Sequence, residues 1–189
     1  QRLDDITGLK MDVSSLKIRE FKQNFGFLAD APDNKNLEGF IFPDTYKLKP
    51  NFVIDDFIGK ALKNFDSKLT PDLRAEIKKQ KKTIYDMVIM ASLIEKEVPH
   101  ADERKIVSGI LWKRLDADIA LQVDATVAFI TGKKKLSRDD LAVVSPYNTY
   151  LNRGLPPGPI ANSGLDAILA ALYPQTSPYW YYLSKTDGT

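Results

Sequence analysis

The 189-residue chain contains no cysteine. Thiol nucleophiles, disulfides and zinc–thiolate sites are therefore excluded. Histidine occurs once, as His100, which argues against histidine-based metal sites and Ser-His-Asp triads. No sign of charge dominates: 27 Lys and Arg face 25 Asp and Glu, for a formal net charge of +2. A dedicated nucleic-acid surface needs a stronger basic bias, so no nucleic-acid partner is expected. No run of about 18 apolar residues occurs that would read as a membrane span. Repeats and low-complexity tracts are absent, and no residue pattern calls for a metal or a cofactor. The first residue is Gln1, and the chain reads as a piece of a longer one, which leaves room for an anchor or signal outside it.

What is present is material for a core. Hydrophobic residues make up 43% and are spread along the chain, so disorder is not expected. A domain of this size buries roughly 70% of its unfolded surface and needs no covalent staples. Residues 13–27 are patterned as a helix, with Leu16, Ile18, Phe21 and Phe25 apolar and Ser14 or Ser15 as cap. Residues 29–36 form a polar loop. The aromatic stretch 37–46 is interrupted by Gly39 and Pro43, and reads as extended chain or loop rather than a central strand.

Helical periodicity returns over 52–68. Thr70 and Pro71 start another helix, as cap and first-turn proline, running to about Gln80. Thr83 with Asp86 resembles a capping box for a helix over 84–97, and a further helix covers 101–116. Leu121, Gln122 and Val123 read as a short strand. Asp124 is placed to cap a helix ending at Gly132, and Ser137 with Asp140 to cap another. A helix over 163–172 stops at Tyr173-Pro174. Residues 179–183 read as a strand and Asp187-Gly188 as a hairpin turn. The expected fold class is α+β: mostly helical packing with a small sheet, around a cleft.

The most informative stretch is Ala91-Ser92-Leu93-Ile94-Glu95-Lys96-Glu97-Val98-Pro99. It sets two carboxylates at the C-terminal end of an apolar helix that a proline stops. Desolvation and the negative end of the helix dipole both favour a protonated carboxyl there, as a general acid for glycosidic bonds requires. At roughly 100° per residue, Glu95 and Glu97 lie about 160° apart, flanking an apolar stripe of Ile84, Met87, Ala91, Ile94 and Val98. They do not form a pair in one cleft on a regular helix. Geometry leaves the choice between them open, with helix-end position leaning towards Glu97.

Five segments, in order, carry a resemblance: LEGFIFPDTY at 37–46, ASLIEKEV at 91–98, LQVDATV at 121–127, SPYNTY at 145–150 and GLPPGPIANSG at 154–164. Together they resemble the endolytic murein transglycosylase family, also called the YceG-like family, over about residues 37–189. The resemblance implies that Glu97, the second glutamate of E-K-E, is catalytic. It implies cleavage of the MurNAc-β-1,4-GlcNAc bond of peptidoglycan, leaving a 1,6-anhydro-MurNAc end. One acid/base suffices: it protonates the glycosidic oxygen, then takes the proton of the sugar's C6 hydroxyl, and no carboxylate nucleophile is needed. Such an acid should have its pKa raised towards about 6–7. The resemblance further implies a tail of a preceding region, or a helical lead-in, over 1–36 and a catalytic domain over 37–189. A single-pass anchor and a LysM-like region would lie elsewhere in the full-length protein. The expected setting is the extracytoplasmic face of the cell membrane, with peptidoglycan glycan strands as substrate and cell-wall synthases as neighbours.

A glycan site needs aromatic surfaces and hydrogen-bonding groups. Tyr147, Asn148, Thr149 and Tyr150 supply both in a loop stiffened by Pro156, Pro157 and Pro159. Gln122 and Asp124 share one side of an extended segment and are candidates to touch sugar or to position Glu97. Glu38 is a candidate for a sugar hydroxyl or an arginine. Arg104, Arg114, Arg138 and Arg153 read mostly as surface charges, with peptide-stem carboxylates as their alternative partners. Two rival readings remain: a hydrolase using Asp124, Glu38 or Asp44 as second carboxylate, and a glycan-binding module without catalysis.

Overall fold

The computed structural model describes residues 16–49, 51 and 53–183. Among them, six α-helices follow one another: α1 (Ile54–Lys68), α2 (Pro71–Lys79), α3 (Ile84–Glu97), α4 (Ala101–Asp116), α5 (Asp124–Thr131) and α6 (Leu165–Leu172). Three 3-10 turns, at Ile18–Glu20, Gly26–Leu28 and Asp140–Ala142, accompany them. None of these helices is long and apolar enough to cross a membrane.

Local chemistry sets several boundaries where the sequence places them. Thr70 Oγ1 accepts from Leu73 N–H at the start of α2, with Pro71 in the first turn. The capping box of α3 closes in both directions, Asp86 N–H to Thr83 Oγ1 and Thr83 N–H to Asp86 Oδ2, each at 3.0 Å. Gly132 ends α5 in the left-handed region at φ 70°, where glycine carries no Cβ penalty. Val98 leaves α3 in extended geometry, φ −125° and ψ 98°, as the residue before a proline prefers.

Helix α3 is the axis of the fold. Tyr85 and Met87 through to Ile94 are all buried, so the helix is enclosed on every side rather than along one stripe. It packs against α6, α4, α5 and α2. Phe27, Phe40 and Phe65 pack on one another in tilted and edge contacts, and Phe40 stacks on Tyr85 of α3, with centroids 5.1–6.2 Å apart. The loop before α6 is pinned to α3 by Ser92, whose Oγ donates to Ile89 O and accepts from Ile160 N–H. Tyr85 adds a bond from its hydroxyl to Pro157 O at 3.1 Å.

The expected sheet is absent: no strand occurs among the described residues, and the α+β class is corrected to an all-helical fold. Residues 121–123 keep a strand's alternation, with Leu121 and Val123 buried and Gln122 exposed. Gln122, however, stands at φ 54°, outside strand geometry. Its N–H goes to Thr149 O, and Val123 N–H goes to Thr149 Oγ1. Residues 179–183 are likewise unpaired with any strand. Arg114 of α4 satisfies Trp180 O in that segment, and Lys113 of α4 satisfies Ser177 O just before it. Alternation reports burial on one side of an extended chain; it does not supply a neighbouring strand.

The helix predicted over 13–27 also fails. From residue 16 onward the chain makes only the two 3-10 turns, because Ile18 N–H reaches across to Lys35 O. Ile18, Phe25, Phe27 and Leu28 still enter the common core. The cap assigned to Ser14 or Ser15 and the turn at Asp187-Gly188 lie outside the described residues.

Gly109 is required by close approach. A Cβ on Gly109 would stand 1.9 Å from Gln175 O. At that point the chain leaving α6 crosses α4, with Gln175 N–H bonded to Lys105 O at 2.9 Å. This crossing directs residues 176–183 back over α4 towards the end of α3.

Candidate active site

Glu97 is the last residue of α3 and is half-buried. Its Oε1 accepts from Ala125 N–H at 2.8 Å. Ala125 is the second residue of α5, so the bond uses an amide that the helix start leaves without an internal partner. Its Oε2 accepts from the Tyr182 hydroxyl at 3.2 Å. No cation pairs with Glu97 among the described residues; the charged group that acts on it is Asp124. Burial pushes the Glu97 carboxyl above the usual range, the Ala125 bond pulls it back, the Asp124 charge raises it and the Tyr182 bond lowers it. Burial prevails, and the acid is raised.

Glu95 meets a different environment. Its Oε2 accepts from Gly164 N–H at 3.1 Å, at the start of α6. Arg104 pairs with it through Nη2 to Oε1 at 3.3 Å and Nη1 to Oε2 at 3.4 Å. The same guanidinium donates from Nε to Val98 O at 3.0 Å, at the end of α3. Glu95 thus joins α3, α4 and α6, and Arg104 is no surface charge.

The other sequence candidates divide by exposure. Asp124 is exposed next to Glu97, and Tyr150 donates its hydroxyl to Asp124 Oδ1. The cap of α5 is Val123 and not Asp124, which is the first helical residue with its carboxylate turned to Tyr150. Gln122 is exposed and accepts at Oε1 from Arg114 Nη2 at 2.5 Å. Asn148 and Thr149 are buried beneath them. Asn148 Nδ2 donates to Leu141 O and Val143 O, and its Oδ1 accepts from Tyr150 N–H at 2.9 Å. Thr149 Oγ1 bonds with Thr126 Oγ1 at 3.0 Å. These two side chains hold the loop that presents Tyr150.

Glu38 of the 37–46 segment lies near Tyr147 of the loop. Asn162 Nδ2 donates to Glu38 Oε1 at 3.2 Å, and Asn162 Oδ1 accepts from Gly39 N–H and Ile41 N–H. Burial raises the Tyr147 phenol, and the Glu38 charge raises it further. The Tyr147 ring packs on Phe129, centroids 5.2 Å apart.

Two side chains at the site carry no sequence signal. Tyr182 belongs to an aromatic run whose alternation does not mark one hydroxyl above its neighbours. Burial raises its phenol, as does the Glu97 charge, so it stays a protonated donor. Arg114 reads as a surface charge at the end of a helix, yet it is 3% exposed. Among the described residues, no three His, Cys, Asp or Glu side chains gather to hold a metal.

This arrangement can protonate a neighbouring oxygen and recover a proton: a raised carboxyl, fixed at both oxygens, beside an exposed carboxylate. The YceG-like family profile matches residues 3–189. The chain is 40% identical over 162 residues to the endolytic murein transglycosylase of Bacillus subtilis (strain 168), covering 82% of this chain and 45% of that protein. It is 34% identical over 167 residues to the endolytic murein transglycosylase of Streptococcus pneumoniae serotype 2, covering 84% of this chain and 30% of that one. It thus spans less than half the length of either relative. A crystal structure of a yceG-like protein from Listeria monocytogenes matches with a TM-score of 0.88 and 34% identity, over 100% of this chain and 68% of the other. A family match over nearly the whole sequence, with a solved relative at a TM-score of 0.88, means that this chain belongs to the YceG-like family.

Proposed function

We propose that this chain cleaves peptidoglycan glycan strands as a lytic transglycosylase, with Glu97 as its acid/base. The observation that carries the reading is the Glu97 environment: raised by burial, free of any cation among the described residues, and gripped at both oxygens. The names of the relatives support murein as the substrate class.

In the proposed reaction the Ala125 N–H holds Oε1, and Oε2, which accepts from the Tyr182 hydroxyl through one lone pair, carries the acidic proton on the other. Oε2 gives that proton to the glycosidic oxygen between MurNAc and GlcNAc. The C1–O bond of MurNAc breaks, and positive charge develops at C1 and the ring oxygen. The carboxylate then removes the proton of the same sugar's C6 hydroxyl as O6 bonds to C1. The 1,6-anhydro-MurNAc end forms without water, and Glu97 is protonated again. The exposed Asp124 carboxylate stands where it can stabilise the developing positive charge. Gln122, Asp124 and Tyr150 are the groups beside Glu97 proposed to touch sugar, with Asn148 and Thr149 holding the loop. Glu38 and Tyr147 are proposed to serve a more distant part of the glycan. The proposed setting is the cell wall outside the cytoplasmic membrane, where cell-wall synthases would be neighbours.

Digestion of murein sacculi tests this. Mass spectrometry should show anhydro ends, and Glu97→Gln should release none. Release by that variant at the wild-type rate would overturn the assignment. The placement of Asp124 beside Glu97 favours one alternative, a hydrolase in which Asp124 activates water. Its products would be heavier by one water, and finding them would replace the transglycosylase reading.

A further inference from the structure

One group that grips Glu97 opens α5 directly after an irregular turn, and the other lies on an extended segment. Ala125 N–H follows the turn at residues 117–123, and the Tyr182 hydroxyl lies on the extended segment that follows α6. Tyr181 and Leu183, on either side of Tyr182, are exposed. Tyr182 itself packs against the core.

Arg114 links the two segments. Its guanidinium donates to Ala120 O from Nε at 3.1 Å and Nη2 at 2.5 Å, and to Gln122 Oε1 at 2.5 Å. Nη1 donates to Trp180 O at 2.9 Å, and the Tyr181 ring lies 4.8 Å from the guanidinium carbon. No carboxylate pairs with this buried cation among the described residues. Neutral acceptors on two segments take its donors instead. A planar fork can meet several such acceptors at once, and a lysine ammonium cannot reproduce that geometry.

We propose that Arg114 and Tyr182 form a positioning unit for Glu97. Arg114 clasps residues 120–122 to residues 180–181, and so presents Ala125 N–H to Oε1 and the Tyr182 hydroxyl to Oε2. The unit orients the acidic oxygen and supports the carboxylate formed after proton transfer. It rests on the reading of Glu97 as the acid/base. The groups that face Glu97 are Asp124 from α5, Tyr182 from the C-terminal segment and Tyr150 from its loop, with Arg114 of α4 acting on Tyr150. On α3 itself, Glu95 is turned to Arg104 and Lys96 is exposed.

The test is the titration of Glu97 in the chain labelled with carboxyl-13C glutamate, its signal assigned by loss in Glu97→Gln. Tyr182→Phe keeps the ring and removes one donor to the carboxylate. Its Glu97 signal should titrate at higher pH than wild type, and the basic limb of kcat/KM on murein should move up with it. The rate should fall roughly tenfold, mainly in kcat. Arg114→Lys should shift the titration in the same direction. Should that variant not fold, Gln122→Ala removes one acceptor of the clasp and should give a smaller shift of the same sign. A Tyr182→Phe titration that superimposes on wild type overturns the role of Tyr182. An unshifted titration in folded Arg114→Lys, or in Gln122→Ala if the lysine variant does not fold, overturns that of Arg114. Because NMR needs no substrate, shifted titrations without murein cleavage would uphold the positioning unit and reject the proposed reaction instead.

Discussion

Glu95 and Glu97 stand two residues apart at the end of α3, and each accepts a backbone N–H from the start of another helix. Around Glu95, Arg104 completes the site, and the ion-paired side chain joins three helices. Around Glu97 there is a tyrosine hydroxyl and a second carboxylate, and burial raises the acid. The same residue type on the same helix end is thus ion-paired with an arginine in one place and a carboxyl raised by burial in the other. The partners brought by α4, α5 and the C-terminal segment decide which.

The largest effect that would test this contrast is on activity. Glu97→Gln should lower murein cleavage by roughly a thousandfold, within the range removal of a general acid/base spans, and should keep the fold. Its stability should carry a signature of its own. Because the folded pKa is raised, ionisation of Glu97 opposes folding: its favourable contribution is complete below the unfolded value of about 4.3 and is lost as pH rises through the folded value. The variant does not titrate there. Its thermal midpoint should exceed wild type at pH 7, and the advantage should vanish near pH 4. A midpoint well below wild type at pH 7 would mean that Glu97 is structural after all.

Glu95→Ala should behave in the opposite way. It leaves the Gly164 N–H and a half-buried Arg104 without their carboxylate, at a cost of about 1–3 kcal/mol in chemical denaturation. Cleavage per folded molecule and its pH profile should be unchanged. A shifted profile would erase the distinction between the two glutamates.

Gly109→Ala sharpens the contrast from a distance. Its Cβ would collide with Gln175 O, pushing the chain after α6 off α4, at roughly 1–3 kcal/mol for overpacking. Glu97 should then titrate at higher pH as the Tyr182 donor withdraws, whereas the ion pair between Glu95 and Arg104 should persist. The smallest effect belongs to Asp124→Asn. Loss of the neighbouring negative charge should lower the Glu97 titration point, so the basic limb of kcat/KM should move down, opposite in sign to Tyr182→Phe.

Much of this contrast is legible in the amino-acid sequence. The starts of α2 and α3 follow from Thr70-Pro71 and from Thr83 with Asp86, because capping joins residues three apart. The end of α5 follows from Gly132. The separation of Glu95 from Glu97 follows from helical period alone, although a single apolar stripe is too narrow for a helix buried all round. The sheet is not legible, because residues 121–123 and 179–183 alternate like strands while their backbone partners are side chains and loops from elsewhere in the chain. Tyr182 and Arg114 are illegible for the same reason: their acceptors lie 85 and 66 positions away, at Glu97 and Trp180.

The sequence by itself determined six α-helices, the caps of α2 and α3, the absence of thiols, and two carboxylates parted by helical geometry. These depend on interactions within a few residues. Tertiary structure alone decided that Glu95 meets an arginine and Glu97 a hydroxyl and a carboxylate. Desolvation and neighbouring charge act through space, and only the packed chain establishes which groups are neighbours.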